Sequence, residues 1–148
     1  MMTHFANQLL KIDVNSRKMN WLLLPPLYGL WLTAFGKTIA RNQTQQQLFF
    51  GLAVLFTLFS GTWLLSFPYL ILNKMFDEAT LFLLVFLCII GVIFSYYSIQ
   101  FERKILAPNT QKATSYFDYY LRFFLLVNWV IGIWNLQKIV REYQELKK

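Results

Sequence analysis

The chain has 148 residues, of which 57% are hydrophobic and only 14% are charged, whereas soluble domains carry about 25% charged residues. Its net charge is +7, but the basic residues mostly flank long apolar stretches, which is typical of membrane anchoring and argues against nucleic-acid binding. A single cysteine, Cys88, and a single histidine, His4, exclude an intramolecular disulfide and the clustered ligands of zinc, haem or iron–sulfur sites, so we predict no metal and no cofactor.

The N-terminal residues 1–18 mix apolar and polar side chains. Phe5, Leu9 and Ile12 fall on one face if this stretch is helical, with lysine and arginine among the polar neighbours. Two interpretations stay open, a short helix lying at the membrane interface or a frayed tail.

The first apolar segment, residues 20–35, contains the pair Pro25-Pro26 near its middle. Two prolines remove two backbone donors and disfavour a helical conformation at Leu24. We therefore expect an extended chain up to Leu24 and a helix with the prolines in its first turn, which could continue through Ile39 to about Arg41. This segment either crosses the membrane with a kink or dips in and returns.

The second and third segments, residues 48–72 and 79–100, are the clearest predicted spans. Leu48 to Phe67 and Ala79 to Gln100 carry no charge, and each is long enough to cross a hydrocarbon core of about 30 Å. Pro68 bends or ends the second segment near the interface. The short connection at 73–78 predicts an antiparallel hairpin.

Small side chains recur at helical spacing on both arms of this hairpin. Because lipid supplies little hydrophobic drive between helices, such stripes indicate close helix packing, and a solute path is the less favoured alternative. The predicted helix-packing residues are Ala53, Thr57 and Gly61 on the second segment and Cys88, Gly91, Ser95 and Ser98 on the third.

The fourth segment, residues 119–137, follows Asp118, an acid favoured at a helix N-terminus and four residues before Arg122. Asn128 and Asn135 share one predicted helical face, which we expect to point towards the other helices. Buried amides need partners, so the candidate buried polar contacts are Asn128, Asn135, Arg122 and Asp118. Residues 138–148 form an amphipathic extension for the interface or for a partner.

These patterns predict one all-α domain over 1–148, a multi-span helical membrane protein with four transmembrane segments, the first kinked or re-entrant at Pro25-Pro26. If the first segment dips without crossing, three spans remain. Either way the basic residues divide eight to five across the membrane, with Arg122 at its edge not counted, so the positive-inside rule does not choose between the two topologies.

The sequence favours a non-enzymatic role. None of the seven acids lies mid-span, and no phosphate loop or hydrolase motif is present. We expect an accessory, assembly or regulatory subunit of a membrane complex, in contact with the lipid bilayer and with another membrane protein or with itself, in a bacterial inner membrane. The alternative is a homo-oligomeric channel or small-solute transporter, which needs the face of Asn128 and Asn135, or the proline break, to line water.

Overall fold

The computed structural model describes residues 2–106 and 116–146, and throughout those two ranges all regular secondary structure is helical. This confirms the predicted all-α class. In chain order the elements are α1 (Met2–Leu10), a 3₁₀ helix (Arg17–Leu23), α2 (Pro25–Ile39), α3 (Gln43–Leu65), α4 (Phe67–Leu72), α5 (Phe76–Leu106), α6 (Tyr116–Val127) and α7 (Trp129–Leu146).

Two of these helices, α3 and α5, are long and apolar enough to cross a membrane. A third candidate is the pair α6 and α7, which pass the same test together but are bent by 118° at their junction. The described part of the chain is therefore all-helical and typical of a membrane protein, with two to three candidate spans. The predicted number of four is not confirmed.

The proline pair begins a helix, as its chemistry requires. Leu24 is extended, with φ −73° and ψ 125°, and Pro25 and Pro26 occupy the first turn of α2, where their missing donors cost nothing. The 3₁₀ helix before Leu24 has a side-chain cap, since Ser16 accepts from the backbone N–H of Lys18. The extended chain that we expected up to Leu24 is therefore wrong for residues 17–23, which form a 3₁₀ helix, and the segment is two helices joined at Leu24.

Helix α2 lies at the centre of the molecule. Tyr28, Trp31 and Phe35 are each fully buried on it, and Tyr28 stacks on both Trp31 and Trp129. Two glycines allow its close approach to α3. A Cβ on Gly36 would come within 2.5 Å of the Phe49 Cβ, and one on Gly29 would overlap the Thr57 hydroxyl.

Helix α6 runs along α5, and α7 then returns towards the part of α5 where α6 began. Tyr119, near the start of α6, accepts a hydrogen bond from Gln100, while Val127 at its end packs at Gly91, about 13 Å further along α5. On α7 the chain returns, and the Tyr143 hydroxyl lies beside that of Ser98 at 3.2 Å. The predicted fourth segment, 119–137, is therefore two helices that double back at Asn128.

Glycine is required just after this bend. A Cβ on Gly132 would overlap the carbonyl oxygen of Leu125, a backbone atom that cannot move without shifting α6. The Gly132 N–H donates to the carbonyl of Asn128 at 2.8 Å, which starts the first turn of α7. The reversal therefore depends on a glycine at position 132, because any other residue would add a Cβ there.

Candidate functional site

The structure corrects the predicted position of the two asparagines. Asn128 and Asn135 are exposed, and the Asn128 amide donates to the carbonyl of Phe124 on its own helix at 3.2 Å. Their shared face was inferred from continuous helical spacing, which the bend at Asn128 interrupts. They do not form contacts inside the helical bundle.

Arg122 is the centre of a buried polar network where α5, α6 and α7 meet. Its guanidinium donates to the hydroxyls of Ser98 at 3.0 Å and Tyr143 at 2.9 Å, and to the carboxylate of Glu102 at 2.9 Å. The side chain of Arg122 is 11% exposed and that of Glu102 is 34% exposed. The network is therefore buried between the helices at Arg122 and partly exposed at Glu102.

The Tyr143 hydroxyl completes this network. It donates to the same Glu102 oxygen at 2.9 Å, so one carboxylate oxygen accepts from α6 and from α7 at once. A charged pair removed from water is stable only when such additional hydrogen bonds satisfy it. Asp118, the other predicted polar residue of α6, lies half-buried one turn before Arg122.

Gln137 forms a second buried polar centre, which the sequence analysis did not single out. Its side-chain oxygen accepts from the Trp31 indole N–H at 2.7 Å. Its amide nitrogen donates to three backbone carbonyls that follow or end α1, those of Leu9 at 3.3 Å, Leu10 at 2.8 Å and Ile12 at 3.1 Å. One amide therefore joins α7, α2 and the end of α1. Its only sequence signal was a glutamine at the edge of an apolar run.

The break at Leu24 and the bend at Asn128 lie close together, and a side chain beside each one bonds to a backbone carbonyl beside the other. The Tyr28 hydroxyl donates to the carbonyl of Leu126 at 2.8 Å, at the end of α6. The Trp129 indole N–H donates to the carbonyl of Leu23 at 3.1 Å, just before the proline break. Backbone carbonyls released by a helix break need such partners when they lie among apolar groups.

The small-residue stripes contact helices other than those of the predicted hairpin. On α5, Gly91 packs under Phe123 and Val127 of α6, and on α3, Thr57 faces Gly29 of α2. Ala53, Ser95 and Ser98 are buried and Cys88 is half-buried. Around Gly61 there is open space, with no atom within 4 Å of a Cβ built there.

Three pockets share Lys37 near the end of α2, and we call them together the basic groove. One part, about 450 Å³, lies between α1, α2 and the end of α7; a smaller part of about 250 Å³ lies between α2 and α3. A third part of about 510 Å³ covers the α2–α3 connection. Lys37 lines all three parts, and its side chain is exposed. The lining residues are otherwise His4, Asn7, Gln8, Lys11, Thr33, Ala34, Thr38, Ala40, Arg41, Asn42, Gln43, Gln46, Gln47, Phe50 and Gln144.

Within residues 2–106 and 116–146, no three His, Cys, Asp or Glu side chains come together as a metal site. Comparison with protein-family models, with curated proteins and with solved structures found no match to this chain. The geometry of its own residues is therefore the basis for any proposed function.

Proposed function

We propose that this chain is a non-enzymatic integral membrane protein that binds another membrane protein through the outer face of α3. The observation that carries the proposal is a pair of glycines on that helix, Gly51 and Gly61. Neither has any atom within 4 Å of a Cβ built on it, so both leave open notches.

Exposed apolar side chains surround these notches. Leu55, Leu58 and Leu65 are all exposed on α3, and Leu65 is 87% accessible. Elsewhere in the chain the glycines of similar helices are filled, since Gly29 and Gly36 receive α3 itself. In lipid, close backbone approach across small residues is a main source of helix association, so unfilled glycines among leucines fit a further helix.

The channel alternative has less support. The polar face on which it depends is divided between two helices, with both asparagines exposed on the folded chain. The Leu23 carbonyl at the proline break accepts from Trp129 and is not left for an ion. A second copy of this chain remains one outcome of the test below.

The proposed arrangement in the membrane is two spans and two re-entrant units. Helices α3 and α5 cross, while the 3₁₀ helix with α2, and α6 with α7, dip in and return. The contacts of Tyr119 with Gln100 and of Tyr143 with Ser98 support this, because both ends of the α6–α7 unit then lie at one end of α5. At each break a backbone carbonyl is satisfied by the other unit, since Tyr28 donates to Leu126 and Trp129 donates to Leu23, as irregular backbone at membrane depth requires.

This arrangement also favours one orientation. Of the 14 lysines and arginines, only Lys74 lies in the connection between the two spans, and the other 13 precede α3 or follow Gln100. The positive-inside rule then predicts that both termini face the cytoplasm. We propose a bacterial inner membrane as the location.

The partner is tested by affinity purification of the full chain in a mild detergent, followed by native mass measurement. We expect a different membrane protein at fixed stoichiometry, and its loss in Gly61→Leu and Gly51→Leu. Val85→Leu, on the exposed face of α5, is the matched control and should retain the partner.

Two results would contradict the proposal. If the purified particle is a monomer that carries only lipid, the chain has no stable protein partner. A homo-oligomer that is disrupted by Gly61→Leu would keep the α3 interface but replace the different protein by a second copy. Circular dichroism is the folding control, and the leucine variants should keep the helical content of the wild type.

A further inference from the structure

We propose that the groove around Lys37 binds the phosphate headgroup of an anionic phospholipid in the leaflet that faces the chain termini. The inference rests on the membrane arrangement proposed above. Its ligand is a lipid with a net negative headgroup, such as phosphatidylglycerol.

The charge of the groove is the first argument. None of the residues that line its three parts is acidic, whereas Lys11, Lys37 and Arg41 all line it. In the part of the chain that the structure describes, neither the ion pair of Arg122 with Glu102 nor that of Arg141 with Asp13 involves Lys37. Its ammonium is accessible for an external anion.

Neutral donors accompany these cations. Gln43 and Gln46 line two parts of the groove beside Lys37, and Gln8 and Gln144 line the part next to α1 and α7. A phosphodiester offers several acceptor oxygens, which suit a lysine together with amide N–H groups. The part between α1, α2 and α7, about 450 Å³, falls within the range of small-ligand sites.

The depth of Lys37 favours a lipid over free phosphate. Its neighbour Gly36 packs on Phe49, in the first apolar turn of α3 after the polar run 43–47. In the proposed arrangement, Lys37 therefore lies at the boundary between the hydrocarbon core and the lipid headgroups. The part of the groove between α2 and α3 is lined by Lys37, by Thr33 and by Phe50, an exposed phenyl ring that an acyl chain can cover.

The experiment is native mass spectrometry of the full-length chain in detergent, titrated with phosphatidylglycerol or with phosphatidylcholine of the same acyl chains. We expect one tightly held phosphatidylglycerol and weaker phosphatidylcholine binding. Lys37→Gln should weaken phosphatidylglycerol binding about five-fold, the effect of one basic residue near an anionic surface, and Lys37→Arg should largely restore it. Lys74→Gln, which removes the same charge in the connection between α4 and α5, is the matched control.

A further titration adds millimolar inorganic phosphate. Phosphate that displaces phosphatidylglycerol at equal concentration would overturn the proposal in favour of a free-anion site. Equal retention of both lipids, or equal affinity of Lys37→Gln and the wild type, would also overturn it. The partner and the orientation are measured separately, so a headgroup site that depends on Lys37 can stand when either of those fails.

Discussion

The guanidinium of Arg122 lies 2.9 Å from the carboxylate of Glu102, and this ion pair joins α6 to the end of α5. The Tyr143 hydroxyl donates to the same carboxylate oxygen, so α7 is joined at the same point. One oxygen atom of α5 thus accepts hydrogen bonds from both α6 and α7. This contact therefore joins α6 to α7 at a point away from their bend at Asn128.

Replacing Arg122 by leucine is expected to destabilise the protein by about 2 kcal/mol. Loss of one partner of a fully buried pair costs about 3–5 kcal/mol, and the partial exposure of Glu102 reduces that figure. Glu102→Gln should cost less, because its amide oxygen still accepts from Arg122. The measurement is the midpoint of thermal unfolding in detergent, with Lys104→Leu, at an exposed position of α5, as control. Equal midpoints for Arg122→Leu and Lys104→Leu would refute the structural role.

Gln137→Leu is expected to release α1 from the bundle. The substitution removes the donor to the carbonyls of Leu9, Leu10 and Ile12 and leaves the Trp31 indole N–H without its acceptor. An unsatisfied buried donor costs about 1–3 kcal/mol, so the region around α1 should open more often.

Limited trypsin digestion after Lys11 and Arg17 measures this opening. Cleavage should be several-fold faster in Gln137→Leu than in the wild type, since protease access follows the open population. Asn135→Leu is the matched control, because it removes an exposed amide two residues away. If both variants are cleaved at the same rate, Gln137 does not hold α1.

The sequence predicted local structure best where backbone chemistry decides it. Pro25 and Pro26 start α2 in the way that their missing donors require, and uncharged length identified α3 and α5. These features depend on neighbours in the chain. They were therefore accessible from the sequence alone.

The polar interior was harder to predict because its contacts join residues far apart in the chain. Gln137 bonds to Trp31, 106 residues away, and nothing in its local sequence separates it from an interfacial glutamine. Helical spacing grouped Asn128 with Asn135, but the reversal at Asn128 depends on Gly132 meeting the Leu125 carbonyl. A pattern of polar and apolar residues does not show where a glycine allows two helices to come this close.

Two glycine-to-alanine substitutions should have opposite effects. In an ordinary helix this change stabilises by about 1 kcal/mol, and Gly61→Ala should do so because its Cβ meets nothing. Gly132→Ala should instead destabilise by about 1–3 kcal/mol, since its Cβ would overlap the backbone of Leu125. Thermal midpoints of the two variants in one detergent check the sign. Stabilisation by Gly132→Ala would mean that α6 and α7 are further apart than described.

The proposed topology predicts which positions face outwards in intact cells. In a Cys88→Ser background, Lys74→Cys should react with a membrane-impermeant maleimide from outside, because residues 66–78 form the only translocated connection of the two-span arrangement. Gln144→Cys, near the end of α7, and Gln46→Cys, at the start of α3, should react only after the membrane is opened.

These three positions, together with Asn7, separate the alternative topologies. A true crossing by the bent α6–α7 pair would carry Gln144 to the outside, while Gln46 would stay inside. A crossing by the first segment would leave the Gln46 result unchanged and would move the N-terminus outwards, where a cysteine replacing the exposed Asn7 would then be labelled. Labelling of Lys74→Cys together with protection of the other three is expected only if both reversals return to the side from which they entered.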